Sequence, residues 1–199
     1  MTEDLVFTGS IAVSSRGVGY FTMPEKPDDE DIEIEPLYLK TALHGDTVEI
    51  KLLPKRENIR QQGEVVRIVK RNKEQFVGTL DGNAQNDFFF LKADDKRMYR
   101  DIFIHSSNTL GGKKGDKVFA AITAWKDPMK SPEGKVLKVL GKKGLHNVEM
   151  QAIILEKGFE AEFSHEIEEE AERIKKEEPS LREKEIANRK DIRNTLTFT

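Results

Sequence analysis

The chain has 199 residues, no cysteine and a formal net charge of −3, with 35% charged and 37% hydrophobic residues. The lack of cysteine excludes disulfides, thiolate metal sites and cysteine chemistry. No apolar run approaches the ~18 residues that a membrane helix needs, and the first four residues are acidic where a signal peptide would be basic. We therefore expect a cytoplasmic protein with no membrane partner and one large or two small domains.

The first 71 residues predict a small β domain. An opening strand begins at Gly9-Ser10-Ile11, and the turn His44-Gly45-Asp46 precedes Val48-Glu49-Ile50-Lys51-Leu52. The strict alternation of apolar and charged residues in that segment is typical of a half-buried strand. Glycine accepts positive φ and aspartate bonds its own backbone, so that the Gly-Asp pair indicates a tight turn.

The same pattern returns about 70 residues later, which indicates an internal repeat. Gly78-Thr79-Leu80 matches the first opening strand, and Lys114-Gly115-Asp116 matches the turn. Gly63–Val69 likewise matches Gly134–Leu140. Each copy holds about five strands, the size of an OB-type barrel. We predict a mainly β protein with two tandem five-stranded OB or cold-shock barrels, residues 1–71 and 72–144; the alternative is a single β sandwich.

Residues 145–199 predict a helical segment. Phe163, Ile167, Ala171 and Ile174 recur at helical spacing, and we expect Pro179 to end that helix. The capping-box pattern that begins at Ser180 predicts a second helix after it. A run of glutamates covers the first helix, and we interpret it as a solvated face rather than a metal site.

Charge is distributed unevenly along the chain. Residues 71–145 carry 15 Lys or Arg against 9 Asp or Glu, a net charge of +6, whereas residues 1–70 carry −4 and residues 146–199 carry −5. Charges farther apart than a Debye length of ~10 Å are largely screened, so the local potential governs phosphate binding. The second barrel is therefore the predicted contact for a polyanion.

Two strings resemble the ribonucleoprotein motifs of cold-shock domains. Arg16-Gly17-Val18-Gly19-Tyr20-Phe21 is similar to the first motif, and Asp101-Ile102-Phe103-Ile104-His105-Ser106 to the second. Alternate side chains of a strand point to the same face, so that Phe103 and His105 should face outward together. Outward aromatic rings beside basic groups can stack bases and neutralise phosphates.

Each copy carries only one good motif. The acidic stretch Asp31-Ile32-Glu33-Ile34-Glu35 stands where the first copy should have its second motif, and we expect it to repel phosphate. Phe88-Phe89-Phe90 stands where the second copy should have its first motif, and either Phe88 and Phe90, or Phe89 alone, face outward. We expect RNA contact mainly in the second barrel. The predicted RNA-binding residues are Arg16, Tyr20, Phe88, Phe90, Arg97, Arg100, Phe103, His105, Lys113 and Lys114.

Taken together, the chain resembles the region before the catalytic domain of RNase R/RNase II exoribonucleases. The resemblance rests on Gly17–Phe21, Ala42–Asp46, Phe76–Leu80 and Gly115–Val118, and on the closing stretch Arg189–Thr199. In that family a similar closing stretch leads into a catalytic domain whose aspartates bind magnesium. The resemblance implies a chain truncated before that domain and a parent enzyme that degrades RNA hydrolytically from its 3′ end.

The function that this resemblance implies is binding and guidance of single-stranded RNA. We expect the chain itself to be monomeric and catalytically inert, with no cofactor of its own, and to partner with its own catalytic domain in the full-length enzyme. Two other functions compete: a stand-alone RNA chaperone similar to cold-shock proteins, and a protein-interaction module without RNA binding.

Overall fold

A computed structural model describes residues 6–23, 25, 30–83, 87–159 and 165–190. The chain divides into two compact units, Met1–Phe159 and Glu160–Thr199. The first unit holds two β modules and helix α1, and the second holds helix α2. The strands are β1 Val6–Val13, β2 Gly19–Phe21, β3 Ile32–Ile34, β4 Thr47–Leu52, β5 Gly63–Lys70, β6 Gln75–Asn83, β7 Phe88–Ala93, β8 Ile102–His105, β9 Asp116–Ala124 and β10 Glu133–Lys142; the helices are α1 His146–Glu156 and α2 His165–Asn188.

The turn before β4 is built by the predicted Gly-Asp pair. Gly45 has a φ of +83°, and its N–H donates to the carbonyl of Ile11 over 2.8 Å. The buried carboxylate of Asp46 accepts from the backbone N–H of Leu43 over 2.9 Å. Positive φ and this side-chain bond together turn the chain into the next strand.

The turn before β9 repeats this construction residue for residue. Gly115 has a φ of +87° and donates its N–H to the carbonyl of Leu80 over 2.8 Å. Asp116 accepts from the backbone N–H of Lys113, also over 2.8 Å. The sequence repeat is therefore a repeat of structure, since the same bonds hold both turns.

The two modules share the same strand order. The first is a five-stranded sheet in the order β3-β2-β1-β4-β5, and the second is a closed barrel in which β8-β7-β6-β9-β10 follow the same order and β10 pairs parallel with β8. The first sheet curls, and a single parallel bridge between Glu33 and Gln62 joins its ends. The prediction of tandem five-stranded modules is confirmed, with the difference that the first is a curled sheet rather than a closed barrel.

Each module has its own core. Inward residues of the first sheet form one cluster together with Leu39 of the β3–β4 connection; the sheet residues include Ile11, Phe21, Ile34, Val48, Ile50 and Val65. Inward residues of the barrel form the other, which includes Phe76, Leu80, Phe89, Leu91, Ile102, Ile104, Val118 and Val136. Burial of such side chains contributes roughly 1.5–3 kcal/mol each, so that these clusters fix the faces that remain outside.

Tyr99 links the two modules. Its ring lies against Gly17, where an added Cβ would come within 3.0 Å of the ring, and it packs beside Trp125 with 5.9 Å between centroids. Its hydroxyl donates to the carbonyl of Ala42 over 3.1 Å. Burial raises the pKa of the Tyr99 hydroxyl to about 12, so it remains a donor. Trp125 also donates its indole N–H to two carbonyls of the β9–β10 turn.

Helix α1 packs on the barrel through Val148 and Ala152, against β6, β9 and β10. The buried ammonium of Lys117 lies 2.7 Å from Asp94 and 3.1 Å from Glu149 of α1. Burial lowers the pKa of Lys117, but the bonds to both carboxylates outweigh it and leave the pKa raised. A backbone bond from Gly144, aided by Lys117, lowers the pKa of Glu149. This ion-paired group fixes α1 to the barrel.

Helix α2 runs through Pro179, so the prediction that this proline ends one helix and that Ser180 caps another is wrong. A helical proline removes one backbone N–H, but strong helix formers surround this one. The i,i+4 pair Glu178–Arg182 spans it, and Arg173 and Glu170 pair nearby. Phe163 and the stretch 191–199 lie outside the described residues.

Candidate nucleic-acid interface

Three phenylalanines form an outward cluster on β7 and β8. The alternation of β7 turns Phe89 into the core and Phe88 and Phe90 outward, where both are half-buried. Phe103 of β8 stands opposite Phe90 in the register. The ring centroids are 5.6 Å apart for Phe88 and Phe103, 5.6 Å for Phe88 and Phe90, and 5.9 Å for Phe90 and Phe103. We call Phe88, Phe90 and Phe103 the aromatic platform.

The mutual packing of these rings fixes their orientation. Phe90 meets both neighbours edge-on, whereas Phe88 and Phe103 are tilted by only 32°. Edge-to-face and tilted arrangements at these distances stabilise aromatic clusters. The platform is therefore preorganised, and the protein would lose little side-chain rotamer entropy when a base binds.

His105 borders the platform opposite Phe88 in the register, and its side chain is 51% exposed. Its Nδ1 lies 2.8 Å from the hydroxyl of Ser107 and accepts from the backbone N–H of the same residue, which caps a short 3-10 helix. Its Nε2 lies 3.1 Å from a carboxylate oxygen of Asp87. These bonds hold the ring at the platform edge.

A lysine–aspartate–lysine group flanks the platform on the β6 side. Asp81 stands opposite Phe90 in the register. Its carboxylate lies 2.6 Å from Lys92 and 3.3 Å from Lys114, and the bonds from these two lysines lower its pKa. Within the described part of the chain, the ammonium group of Lys113 has no ion-pair partner. The lysines are exposed, and their charges are open to solvent.

The two predicted arginines of the barrel lie elsewhere and already have partners. Arg97 pairs with the carboxylate of Asp95 at 2.8 Å and lies 3.0 Å from Nε2 of His44, at the contact with the first module. The bonds to Asp95 raise the pKa of Arg97. Arg100 donates to the carbonyls of Pro128 and Met129. The structure does not bring these arginines to the platform.

In the first module the predicted stacking residue is Tyr20. Tyr20 is half-buried on β2, where the register places it between Ala12 and Glu33. Arg16 is exposed in the turn before β2. Glu33 beside Tyr20 is the acidic neighbour that the sequence predicts for this face, and a phosphate next to Tyr20 would meet that charge.

Sequence reasoning missed Lys92 and Asp81. Lys92 continues the outward alternation of Phe88 and Phe90, so the period-two pattern carried the signal. The role of Asp81 follows only from the pairing of β6 with β7. Among the described residues no cluster of His, Asp or Glu could hold a metal ion. No helix within the described ranges is long and apolar enough to cross a membrane.

Two family models match successive parts of the chain. The ribonuclease B OB domain matches residues 9–68, and the cold shock domain matches residues 90–164. The chain is 30% identical to ribonuclease R of Thermotoga maritima over 99% of its own length and 27% of the relative's. It is 26% identical to ribonuclease R of Vibrio parahaemolyticus, over 86% of the chain and 20% of that protein.

Solved structures share the fold. Ribonuclease R of Mycoplasma genitalium, in complex with ribose-methylated single-stranded RNA, superposes with a TM-score of 0.69 at 22% identity, over 84% of the chain and 26% of that protein. Yeast Ssd1, a pseudonuclease, superposes with a TM-score of 0.65 at 18% identity, over 77% of the chain and 25% of that protein. The chain thus spans about a quarter of the length of these relatives.

Proposed function

We propose that this chain, which carries the ribonuclease B OB domain and the cold shock domain of the ribonuclease R family, binds single-stranded RNA through its second module. The observation that carries the proposal is the aromatic platform, three preoriented rings on the outward face of β7 and β8. An outward aromatic cluster next to lysines is what a single strand requires.

Base stacking supplies the first part of the affinity. Every base has a π-face, and a stack on an aromatic side chain is worth about 1–3 kcal/mol. Phe88 and Phe103 are tilted by 32° with centroids 5.6 Å apart, so that one base can contact both rings at once. Because stacking does not read base edges, the platform should accept RNA of varied sequence.

Phosphate neutralisation supplies the second part. Lys113 has its charge open to solvent, and Lys114 shares Asp81 with Lys92. A phosphate can replace Asp81 at Lys114, because Asp81 keeps Lys92 as its partner. Exposed pairs of this kind contribute little to stability, about 0–1 kcal/mol, and their exchange is therefore cheap.

The first module should contribute less than the second. Glu33 stands beside Tyr20, and the charge of residues 1–70 is −4. We expect Arg16 and Tyr20 to hold one nucleotide at most, because the acidic groups of this module repel phosphate. Arg97 and Arg100 should act on RNA only through the long-range potential, since each has bonds of its own.

In a longer protein the bound strand would be guided to a catalytic domain. That domain would hydrolyse RNA from the 3′ end with magnesium bound by its own aspartates, and the two β modules would only hold the strand. The occurrence of this fold in a pseudonuclease supports a binding role that is separate from catalysis. A cytoplasmic, monomeric protein fits this proposal.

An NMR titration tests the proposal. The ¹⁵N-labelled chain is titrated with a short single-stranded RNA, and amide shifts are mapped onto the structure. We expect the largest shifts in β7, β8 and the turn at Lys113 and Lys114, with smaller ones around Tyr20. Shifts confined to the first module, or no shifts at all, would contradict the proposal.

A further inference from the structure

A cavity of about 630 Å³ opens at the end of the barrel, beside the platform. Its volume falls within the range of ~300–1,000 Å³ that is typical of small-molecule sites. Its walls are mostly carbon, with two hydroxyls and two lysines at the rim. The lining residues are Gly82, Phe89, Ser106, Thr109, Gly112, Lys113 and Lys114.

Close packing accounts for the glycines at two positions of the cavity wall. An added Cβ at Gly112 would come within 2.9 Å of the Leu80 side chain and 3.1 Å of the Thr109 carbonyl. At Gly82 it would come within 3.0 Å of the backbone of Phe89, the strand partner of Gly82. Phe89, which belongs to the barrel core and is 4% exposed, contributes a small apolar part of the wall.

The cavity borders the aromatic platform on two sides. On one side Lys114 reaches Asp81, which stands opposite Phe90. On the other side Ser106 directly follows His105, the strand partner of Phe88. A strand bound along the platform would therefore lie near the mouth of the cavity.

The two hydroxyls of the cavity can only accept hydrogen bonds. The Ser106 hydroxyl donates its hydrogen to Asp87 over 2.5 Å, and the Thr109 hydroxyl donates to the carbonyl of Ser106 over 2.8 Å. A hydroxyl has one hydrogen and two lone pairs, so each oxygen retains lone pairs alone. The complementary group on a ligand is an N–H donor.

We propose that this cavity binds one base of the RNA strand, and that it prefers adenine or cytosine, which carry an amino group at C6 or C4, over guanine or uracil, which carry an accepting carbonyl at that position. The amino group donates to Ser106 or Thr109, the base contacts the small exposed part of Phe89, and Lys113 and Lys114 hold the adjoining phosphate. The inference rests on the proposed function and adds a nucleotide subsite with a base preference to it.

Titrations of the ¹⁵N-labelled full chain with mononucleotides test this inference. The probes are cytidine 5′-monophosphate, uridine 5′-monophosphate and ribose 5-phosphate, which has no base. We expect the cytidine nucleotide to shift the amides of Gly82 and Gly112 and to bind at least about fivefold more tightly than ribose 5-phosphate. Equal binding of ribose 5-phosphate would overturn the proposal, because only lysine electrostatics would then remain.

The base preference has its own control. We expect uridine 5′-monophosphate to bind about three- to tenfold more weakly than the cytidine nucleotide, the effect of one hydrogen bond. Thr109→Val and Ser106→Ala should each reduce this difference and leave ribose 5-phosphate binding unchanged; the second variant serves if the first destabilises the turn. Equal affinity of both nucleotides for the unmodified chain would refute the assigned preference.

The nucleotide titrations can fail or succeed independently of the RNA titration that tests the proposed function. If the cytidine nucleotide shifts Gly82 and Gly112 while a single-stranded RNA leaves Phe88, Phe90 and Phe103 unshifted, the platform proposal fails and the cavity stands as a nucleotide site. If the RNA shifts the platform and no nucleotide reaches the two glycines, the cavity assignment fails alone.

Discussion

Replacement of Phe103 by leucine should weaken binding of single-stranded RNA without unfolding the barrel. Phe103 is half-buried, and its ring packs against Phe88 at 5.6 Å and Phe90 at 5.9 Å. Leucine retains an apolar side chain of similar size, and such exchanges usually cost less than about 1.5 kcal/mol of stability. It removes the flat face on which a base stacks.

The expected loss follows from the geometry of the platform. A complete stack is worth about 1–3 kcal/mol, and two rings remain after the substitution. We therefore expect a loss at the lower end, about 1–1.5 kcal/mol, which is about a five- to twelvefold increase in Kd. Fluorescence anisotropy with a 5′-labelled RNA measures it, and thermal unfolding followed by circular dichroism checks the fold.

Tyr20→Leu provides the matched control. It makes the same kind of change on the first module, where Glu33 stands beside the ring, and we expect its Kd to stay within about twofold of that of the unmodified chain. A folded Phe103→Leu variant that binds RNA as tightly as the unmodified chain, or a larger loss from Tyr20→Leu, would refute the stacking argument.

Three further outcomes are expected. Changing Lys113 and Lys114 to glutamine should weaken binding equally for all RNA sequences and flatten the slope of log K against log salt by about 0.7 for each lost phosphate contact; an unchanged slope would exclude these contacts. Incubation of the chain with labelled poly(A) and magnesium should leave the RNA intact on a gel, and shortening that survives repurification would contradict a purely binding role. Lys117→Met should lower the free energy of unfolding by about 1.5–3 kcal/mol in denaturant titrations near neutral pH. Because the pKa of Glu149 is lowered and that of Lys117 raised, this difference should shrink as pH falls below ~4.3 or rises above ~10.4.

The turns and the repeat could be predicted because their signals are local. The Gly45-Asp46 and Gly115-Asp116 pairs need only their own backbone and the side chain of the aspartate to form the turn. Alternation in β7 limited the outward residues to two choices, and pairing with Phe103 of β8 decides between them. That pairing depends on residues distant in sequence, which no local pattern specifies.

The charges of the site could be counted from sequence but not placed. Arg97 and Arg100 lie near the second motif in the chain, yet one pairs with Asp95 and the other holds the turn at Pro128. Lys92, which borders the platform, carries no motif. Partners in the folded structure decide which basic side chains remain available for phosphate, and these partners cannot be identified from the sequence.

In the helical segment a local rule gave the wrong prediction. The rule that proline ends helices is strong for an isolated segment, but Pro179 lies among strong helix formers supported by the Glu178–Arg182 pair. Helix α1 was not separated from α2 because its apolar residues do not follow one face. Val148 and Ala152 pack on the barrel, whereas Met150 and Ile153 are exposed.

A direct comparison of single-stranded and blunt duplex RNA tests the central claim, that outward rings bind unpaired bases. A duplex hides the base faces that Phe88, Phe90 and Phe103 would use, while its phosphates remain accessible. Anisotropy titrations of the full chain with both RNAs, at about 50 and about 200 mM salt, separate stacking from charge. We expect tighter binding of the single strand at both salt concentrations, with a ratio that persists as salt rises. Equal affinity for the two forms would contradict the account and leave electrostatic attraction alone.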